Sequence, residues 1–267
     1  MSDTPLLHVA WLTTGRGPGS FGALEYVLSE IDGGLPVEVA VVFVNRDPGE
    51  SEATDGLMEM VRARGIPLET LSSVRFRKER GGKLSKPGEP LQPWRMEYDE
   101  AVAERLAQYD FDIGVMFGYM LIATAPLHTR FTFINDHPAL PDGPIGTYQE
   151  VIAELIRIEA RESGCLMNVV TGDVDRGPVV SYCRFPIRDE ANEALWHDPE
   201  AIGAANLSPQ ALQETALYRD IRARGVRRER PFLVETLRAV AGGTLVVPPA
   251  EPADLTEAVE TRLADRA

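Results

Sequence analysis

Residues 6–28 read LLHVAWLTTGRGPGSFGALEYVL and set the architecture of the chain. The apolar run Leu6–Leu12 has the length of one buried strand, and it ends in the glycine-rich segment Thr13–Ser20. From Ala23 onward the apolar residues recur with helical spacing. The segment therefore predicts a strand, a glycine loop and a helix in succession, which is the opening unit of a parallel α/β sheet.

The same alternation continues along the chain. Short apolar runs predict strands, and the amphipathic segments between them predict helices. The predicted strands are 37–45, 67–71, 112–117, 131–135, 165–170 and 177–185, and the predicted helices are 52–64, 95–107, 147–161 and 230–241. Continuous apolar strands that alternate with helices indicate an α/β fold with a Rossmann-like, mostly parallel sheet and helices on both faces.

The chain is expected to form a single α/β domain over residues 1–247 with two insertions. The first, about 75–93, is basic, rich in glycine and proline, and without periodicity. The second, about 188–219, is a mixed helical segment. Residues 248–267 are expected to form a peripheral acidic tail.

Charge limits the classes of partner. The chain has 27 Lys and Arg against 41 Asp and Glu, a formal net charge of −14, which repels nucleic-acid backbones and anionic lipid headgroups. We therefore expect neither a nucleic-acid nor a membrane partner. No apolar run reaches the roughly 20 residues of a membrane span. The N-terminal residues lack the basic segment of a secretory signal, so a cytoplasmic protein is expected.

Cysteine and histidine usage gives no sign of a metal centre. Cys165 and Cys183 both lie in apolar, strand-like surroundings, where a buried and inert thiol in a reducing compartment is the usual state. The four histidines are scattered without the spacing of metal ligands. We therefore expect no metal.

The glycine loop has three interpretations. Gly17, Gly19 and Gly22 have the spacing of a dinucleotide-binding motif, and they lie between a predicted strand and a predicted helix. The same geometry serves the phosphate of any small substrate, because backbone N–H groups at a helix start attract anions. A turn that binds nothing is the third interpretation.

Polar residues follow the fifth predicted strand. Asn135 and His137 are two residues apart, so an extended backbone projects both to one face, and Pro138 fixes the chain direction after them. The turn between the last two strands carries Asp173 and Asp175. Taken singly, His137 is also explained as a hydrogen-bonded core residue and Asp175 as a turn former. Together they indicate a catalytic site at the carboxyl edge of the sheet.

The chain resembles the folate-dependent formyltransferase family in two motifs, NDHPALP at 135–141 and DVDRGPVV at 173–180. The segment FGYMLI at 117–122 is similar to the end of the family's folate-pocket strand, and RMEYD at 95–99 is similar to its arginine-containing helix start. The resemblance covers roughly residues 5–72, 94–187 and 227–246. It implies a formyltransferase-type α/β fold.

The resemblance also implies roles for individual residues. The catalytic residues it implies are Asn135, His137 and Asp175. The folate-binding residues it implies are Arg95, Gly118, Met120, Leu121, Ile122 and Ala123, with Arg95 facing the glutamate tail. The acceptor-binding residues it implies are Gly15, Gly17, Gly19 and Ser20, which match a phosphate loop, and Glu229, which matches a carboxylate for the acceptor's ribose.

The resemblance implies an enzyme of purine biosynthesis that transfers a formyl group from 10-formyltetrahydrofolate to a primary amine, most simply glycinamide ribonucleotide. Its partners are then a folate co-substrate and a small, phosphate-bearing amine, with no metal. The alternatives are a different acceptor such as an amino sugar, hydrolysis of the formyl donor, and an NAD-dependent oxidoreductase that uses the glycine loop. A homodimer is one candidate assembly.

Two basic runs stand out in so acidic a chain, at Arg75–Arg80 and Arg222–Arg228. Runs of this kind are usually solvated faces. Arginine also recognises phosphate and carboxylate groups with two parallel hydrogen bonds. One of the runs is therefore a candidate contact for the acceptor phosphate or for a polyglutamyl folate tail.

Overall fold

The computed structural model describes residues 5–85, 89–198, 203 and 209–266. These residues pack into two compact units. The first unit runs up to Asn135 and adds Val169–Gly177 and Val240–Thr244. The second unit comprises Asp136–Asn168, Pro178–Ala239 and the chain from Leu245 onward. The single domain expected over residues 1–247 stays a prediction.

The first unit contains a parallel sheet. Its strands are β1 (Leu7–Thr13), β2 (Val37–Val44), β3 (Leu68–Thr70), β4 (Ile113–Met116) and β5 (Phe133–His137), whose last two residues belong to the second unit. Their order in the sheet is β3-β2-β1-β4-β5, and each of these pairings is parallel. The strands predicted for this part of the sequence are therefore confirmed, with small changes at their ends.

Helices surround this sheet. Those described in the first unit are α1 (Pro18–Asp32), α2 (Glu52–Ala63), α3 (Ser73–Glu79), α4 (Trp94–Leu106) and α5 (Ala125–His128). Every residue of β1 except His8 is buried, and because neighbouring side chains of a strand point to opposite faces, both faces of the sheet are covered. Leu12 and Phe43 belong to the same buried apolar cluster as Tyr98 and Leu106 of α4.

The second unit combines three strands with a long helix. Strand β6 (Glu162–Val169, its last residue in the first unit) pairs antiparallel with β7 (Val179–Pro186), and β7 pairs in parallel with β8 (Ala253–Asp254). The described helices are α6 (Tyr148–Arg157), α7 (Glu193–Trp196), α8 (Pro209–Leu212), α9 (Ala216–Ala241, its end in the first unit) and α10 (Thr256–Ala264). Only one of the six strand pairings given for the two units is antiparallel, which confirms the mostly parallel α/β class.

Two expectations for the second half of the chain need correction. Helix α9 begins at Ala216 and continues through Pro231, whereas the sequence predicts a helix only from residue 230. The segment 248–267 is no peripheral tail in its described part, because it supplies β8 and α10 and buries Val259 completely. The predicted insertion 188–219 contains α7, α8 and the start of α9, and its residues 199–202 and 204–208 lie outside the described residues.

Cys165 and Cys183 lie opposite each other in the register of β6 and β7, and both are free and buried, as predicted. Hydrogen bonding between the two thiols and burial raise the pKa of Cys165 well above its usual range. Among the helices that the structure describes, none has the length and apolar character needed to cross a membrane.

Candidate active site

The carboxyl ends of three neighbouring strands lie in register in the first unit. Leu12 of β1 pairs with Met116 of β4, and Met116 pairs with Asn135 of β5. Because the strands are parallel, the loops that follow them leave from one edge of the sheet. Open α/β sheets bind ligands at this edge. The loops here are the glycine loop after β1 and the segment Phe117–Thr124 after β4.

These two loops are hydrogen-bonded to each other. The Thr14 N–H donates to the carbonyl of Gly118 over 3.0 Å, and the Met120 N–H donates to Thr14 Oγ1 over 3.1 Å. Gly118 has a φ of +68°, and a Cβ atom on it would lie 2.1 Å from Ser20 Oγ. Only glycine fits this position without a shift. The structure thus brings Gly118 and Met120, predicted for the folate, beside Ser20, predicted for the acceptor.

The glycine loop continues directly into α1. Gly17 is the residue before the helix. A Cβ atom added to Gly17 or to Gly19 would meet no atom within 4 Å. Gly15 lies deeper, packed against Thr54, whose hydroxyl donates to the carbonyl of Thr14 over 3.3 Å. The predicted acceptor residues in this loop therefore lie at the N-terminal end of a 15-residue helix, where backbone N–H groups and the helix dipole favour an anion.

The loop after β4 exposes its apolar side chains unevenly. Met120 is 74% exposed and Ile122 is also exposed, whereas Leu121 is half-buried and Ala123 is buried. Exposed apolar side chains at a sheet edge are typical of a ligand site. The predicted pterin-binding segment therefore lies at the surface of the first unit.

Arg95 lies in a buried position, and its predicted contact with the folate tail stays a prediction. It is 4% exposed, and its guanidinium donates to the carbonyl of Ile122 over 2.6 Å and to Asp99 over 3.3 Å. Asp99 also accepts the N–H of Thr124 at 2.7 Å and its hydroxyl at 2.8 Å. Burial raises the pKa of Asp99, and Arg95 and Thr124 oppose that shift. Arg95 and Asp99 therefore hold both ends of the Ile122–Thr124 segment.

Asn135 and Asp175 are in contact. The Asn135 side-chain amide donates to Asp175 Oδ1 over 3.3 Å, a long hydrogen bond between two of the three predicted catalytic residues. Asp175 has a φ of +53°, a backbone conformation that residues other than glycine rarely adopt. Such strain is concentrated at functional sites.

The turn that carries Asp175 is tightly packed. Its flank is joined to β5 by the Val170 N–H, which donates to the carbonyl of Phe133 over 2.8 Å. A Cβ atom on Gly177 would lie 1.8 Å from the carbonyl oxygen of Val169. Asp173, the other carboxylate of the turn, is exposed. The structure therefore distinguishes Asp175, which meets Asn135, from Asp173, which faces solvent.

His137 is the last residue of β5 and belongs to the second unit. It is 4% exposed, and its Nε2 lies 3.0 Å from the carbonyl oxygen of Pro144. Because a carbonyl only accepts hydrogen bonds, Nε2 carries the proton in this contact.

Glu229, predicted for the acceptor's ribose, also lies in the second unit. It is 8% exposed and forms a close ion pair with Arg222, whose guanidinium lies 4.6 Å above the ring of Tyr148. Asp136, to which the sequence analysis gives no role, belongs to the same group of charges. Burial and the charge of Glu229 raise the pKa of Asp136 well above its usual range, and Arg222 opposes the shift. A carboxylate inside a buried strand is the sequence signal that could have identified it.

The described residues contain no group of three or more histidine, cysteine or acidic side chains arranged to hold a metal ion.

The fold has solved counterparts. The crystal structure of glycinamide ribonucleotide transformylase 1 from Symbiobacterium toebii superposes with a TM-score of 0.64 at 22% identity, covering 94% of this chain and 94% of that one. At this identity the likeness concerns the fold, which is a Rossmann-like α/β fold.

A sequence model described as "Formyl transferase" matches residues 13–197, which is more than half of the chain. The chain belongs to the formyl transferase family, as its resemblance predicts. Phosphoribosylglycinamide formyltransferase of Mycobacterium tuberculosis is 27% identical over 128 residues, 47% of this chain and 59% of the relative. The enzyme of the same name from Haemophilus influenzae is 32% identical over 99 residues, 36% of this chain and 45% of the relative. The matched stretches thus span about half the length of these curated relatives.

Proposed function

We propose that this chain transfers a formyl group from 10-formyltetrahydrofolate to a primary amine, with glycinamide ribonucleotide as the first acceptor to test. The observation that carries the proposal is the contact of Asn135 with Asp175 at the carboxyl end of β5, on the two motifs of the formyl transferase family. The curated relatives named above support the choice of acceptor, since both are phosphoribosylglycinamide formyltransferases.

The reaction requires three chemical functions from the protein. The amine attacks the formyl carbon, a tetrahedral intermediate with an oxyanion forms, and the bond from the formyl carbon to the folate nitrogen then breaks. The amine loses one proton, and the departing folate nitrogen gains one. The protein must therefore stabilise an oxyanion, accept a proton and return a proton.

The candidate catalytic residues are assigned to oxyanion stabilisation and proton transfer. The Asn135 side-chain amide is a donor for the oxyanion, a contribution worth about 2.7–4 kcal/mol in comparable sites. His137, whose Nε2–H donates to the carbonyl of Pro144, is assigned a catalytic role by its place in the first motif. Asp175 is the proton acceptor, and its hydrogen bond orients the Asn135 amide.

Binding of the two substrates is assigned to the two loops at the edge of the first unit. The exposed Met120 and Ile122 offer apolar surface and backbone groups to the pterin. Gly17, Gly19 and Ser20 at the start of α1 receive the acceptor's phosphate. The hydrogen bonds between Thr14 and the loop after β4 keep the two substrate loops together.

The direct test is incubation of the purified protein with 10-formyltetrahydrofolate and glycinamide ribonucleotide. Tetrahydrofolate formation is followed by absorbance, and the formylated amine is identified by mass spectrometry. We expect both products only when the acceptor is present. Tetrahydrofolate and formate released at the same rate without acceptor would identify a hydrolase instead, and tight binding of NAD would favour an oxidoreductase.

A different amine acceptor is the second candidate, and the ion pair of Glu229 with Arg222 favours it. The carboxylate predicted for the ribose is already engaged by an arginine. A ribose hydroxyl must therefore compete with a charge-assisted contact. A screen of amino sugars and other phosphate-bearing amines, run in the same assay, tests this candidate against glycinamide ribonucleotide.

A further inference from the structure

A group of cations on the first unit has no partner within the described residues. Residues 75–83 carry five basic side chains against one acidic side chain, in a chain whose net charge is −14. Arg75 pairs with Asp47, and Arg80 pairs with Glu97. Arg77, Lys78 and Lys83 form no ion pair or side-chain hydrogen bond with any residue that the structure describes. We call these three residues the free cation group.

Trp94 packs against the segment that carries Arg77 and Lys83. The indole N–H of Trp94 donates to the carbonyl of Lys83 over 2.9 Å. A Cβ atom on Gly82 would lie 2.5 Å from the Trp94 ring and 3.1 Å from Arg77 Cγ, so the ring, the glycine and the Arg77 stem are in close contact. The segment that carries these charges is therefore packed on the start of α4.

Trp94 also neighbours Arg95, which contacts the proposed folate loop. The guanidinium of Arg95 lies 5.1 Å from the Trp94 ring centroid, and it donates to the carbonyl of Ile122 over 2.6 Å. A continuous path of contacts thus joins the Ile122 backbone to Gly82 and Lys83. Arg95 itself is buried against Asp99, so the cations accessible to a ligand on this path are those of the free cation group.

We propose that Arg77, Lys78 and Lys83 bind the γ-linked polyglutamyl tail of the folate co-substrate. The inference rests on the proposed function. A polyglutamyl tail carries one carboxylate for each glutamate, and several unpaired cations attract such a chain. Two of them, Arg77 and Lys83, are linked to the pterin loop through Trp94 and Arg95. An acceptor phosphate carries its charge on one compact group, which the glycine loop receives at the start of α1.

Binding of 5-formyltetrahydrofolate, a stable analogue of the formyl donor, tests the proposal. The monoglutamate and the pentaglutamate are titrated into the parent protein and into a variant with Arg77→Gln, Lys78→Gln and Lys83→Gln. A control variant carries Arg62→Gln and Arg161→Gln, two exposed arginines outside both basic runs. Isothermal titration calorimetry at low and at moderate salt measures each dissociation constant.

The expected result is that the parent binds the pentaglutamate more tightly than the monoglutamate, by on the order of tenfold at low salt. That preference should fall as salt is added. The triple variant should lose most of the preference and keep its affinity for the monoglutamate, and the control variant should behave like the parent.

Each other outcome is informative. Equal binding of the two tails by the parent, or an unchanged preference in the triple variant, overturns the tail site and leaves the proposed function standing. A triple variant that loses affinity for a phosphate-bearing acceptor instead assigns the cations to that acceptor and overturns the proposal. A parent that binds neither folate overturns the proposed function together with the tail site.

Discussion

Replacing Asp99 with asparagine should destabilise the chain strongly. Asp99 is completely buried, and it accepts hydrogen bonds from both polar groups of Thr124 and from the guanidinium of Arg95. Asparagine has nearly the same shape but no charge, so the Arg95 cation would stay buried without its counter-ion. Removing one partner of a buried ion pair costs about 3–5 kcal/mol.

An exposed pair in the same unit provides the matched control. Arg75 and Glu79 have the same spacing along a helix, but both side chains are 61% exposed. An exposed pair contributes about 0.2–1 kcal/mol, so Glu79→Gln should change the stability by no more than that. The ratio of the two effects therefore measures what burial adds to the pair of Arg95 and Asp99.

Urea unfolding followed by circular dichroism is the assay. With a slope of about 3 kcal/mol per molar urea, Asp99→Asn should lower the midpoint by roughly 1 M or more. The double variant Arg95→Met with Asp99→Leu should recover much of the loss, because it removes both charges. An Asp99→Asn protein as stable as the Glu79→Gln protein would show that burial adds nothing to the pair of Arg95 and Asp99.

Two further predictions concern backbone space and a buried proton. Gly177→Ala should lower the stability in thermal unfolding by about 1–3 kcal/mol, because its Cβ would meet the Val169 carbonyl. Gly56→Ala has open space inside α2 and should raise the stability by about 0.5–1 kcal/mol. Equal effects of the two substitutions would contradict the predicted clash at Gly177. The folded chain raises the pKa of Asp136, so its proton stabilises the fold in acid, and that stability is lost as the pH rises through the shifted pKa. The stability of Asp136→Asn in urea unfolding should therefore rise relative to that of the parent as the pH increases above about 4, the ordinary pKa of an aspartate, and a difference that does not change with pH would count against a buried proton.

The elements that apolar patterning predicts are those whose burial is continuous. Strand β4 is buried along its length and β1 at every residue except His8, so a short apolar run identifies each of them. The sequence predicts helix α9 only from residue 230, and a proline inside a helix normally ends or kinks it. The structure carries the helix through Pro231, and ion pairs such as that of Arg228 with Glu260 hold its earlier turns.

The sequence does not predict the strand and the helix of the C-terminal segment, because neither has a clear apolar pattern. Its strand β8 has two residues, and in α10 the residue that is completely buried is Val259. Neither gives a periodic pattern. Its place in the second unit depends on partners far away in sequence, such as Glu235 for Arg262, which a local pattern does not contain.

The sequence predicts the part of the candidate site whose residues lie within the two motifs. The motifs select Asn135 and Asp175, and the structure brings these two together. They do not show whether a charged residue points to solvent or to a buried partner. Arg95 and Glu229 were for that reason assigned to ligands by resemblance, whereas the structure pairs them with Asp99 and Arg222.

The role of Asp175 is decided by comparing the turnover number of Asp175→Asn with that of Asp173→Asn. Both carboxylates belong to one turn, but Asp175 contacts Asn135 and Asp173 faces solvent. With 10-formyltetrahydrofolate and an accepted amine, we predict that Asp175→Asn lowers kcat at least about a hundredfold while Asp173→Asn stays near the parent value. Equal activity of the two variants, with both proteins folded, would contradict the assignment of Asp175 as the proton acceptor.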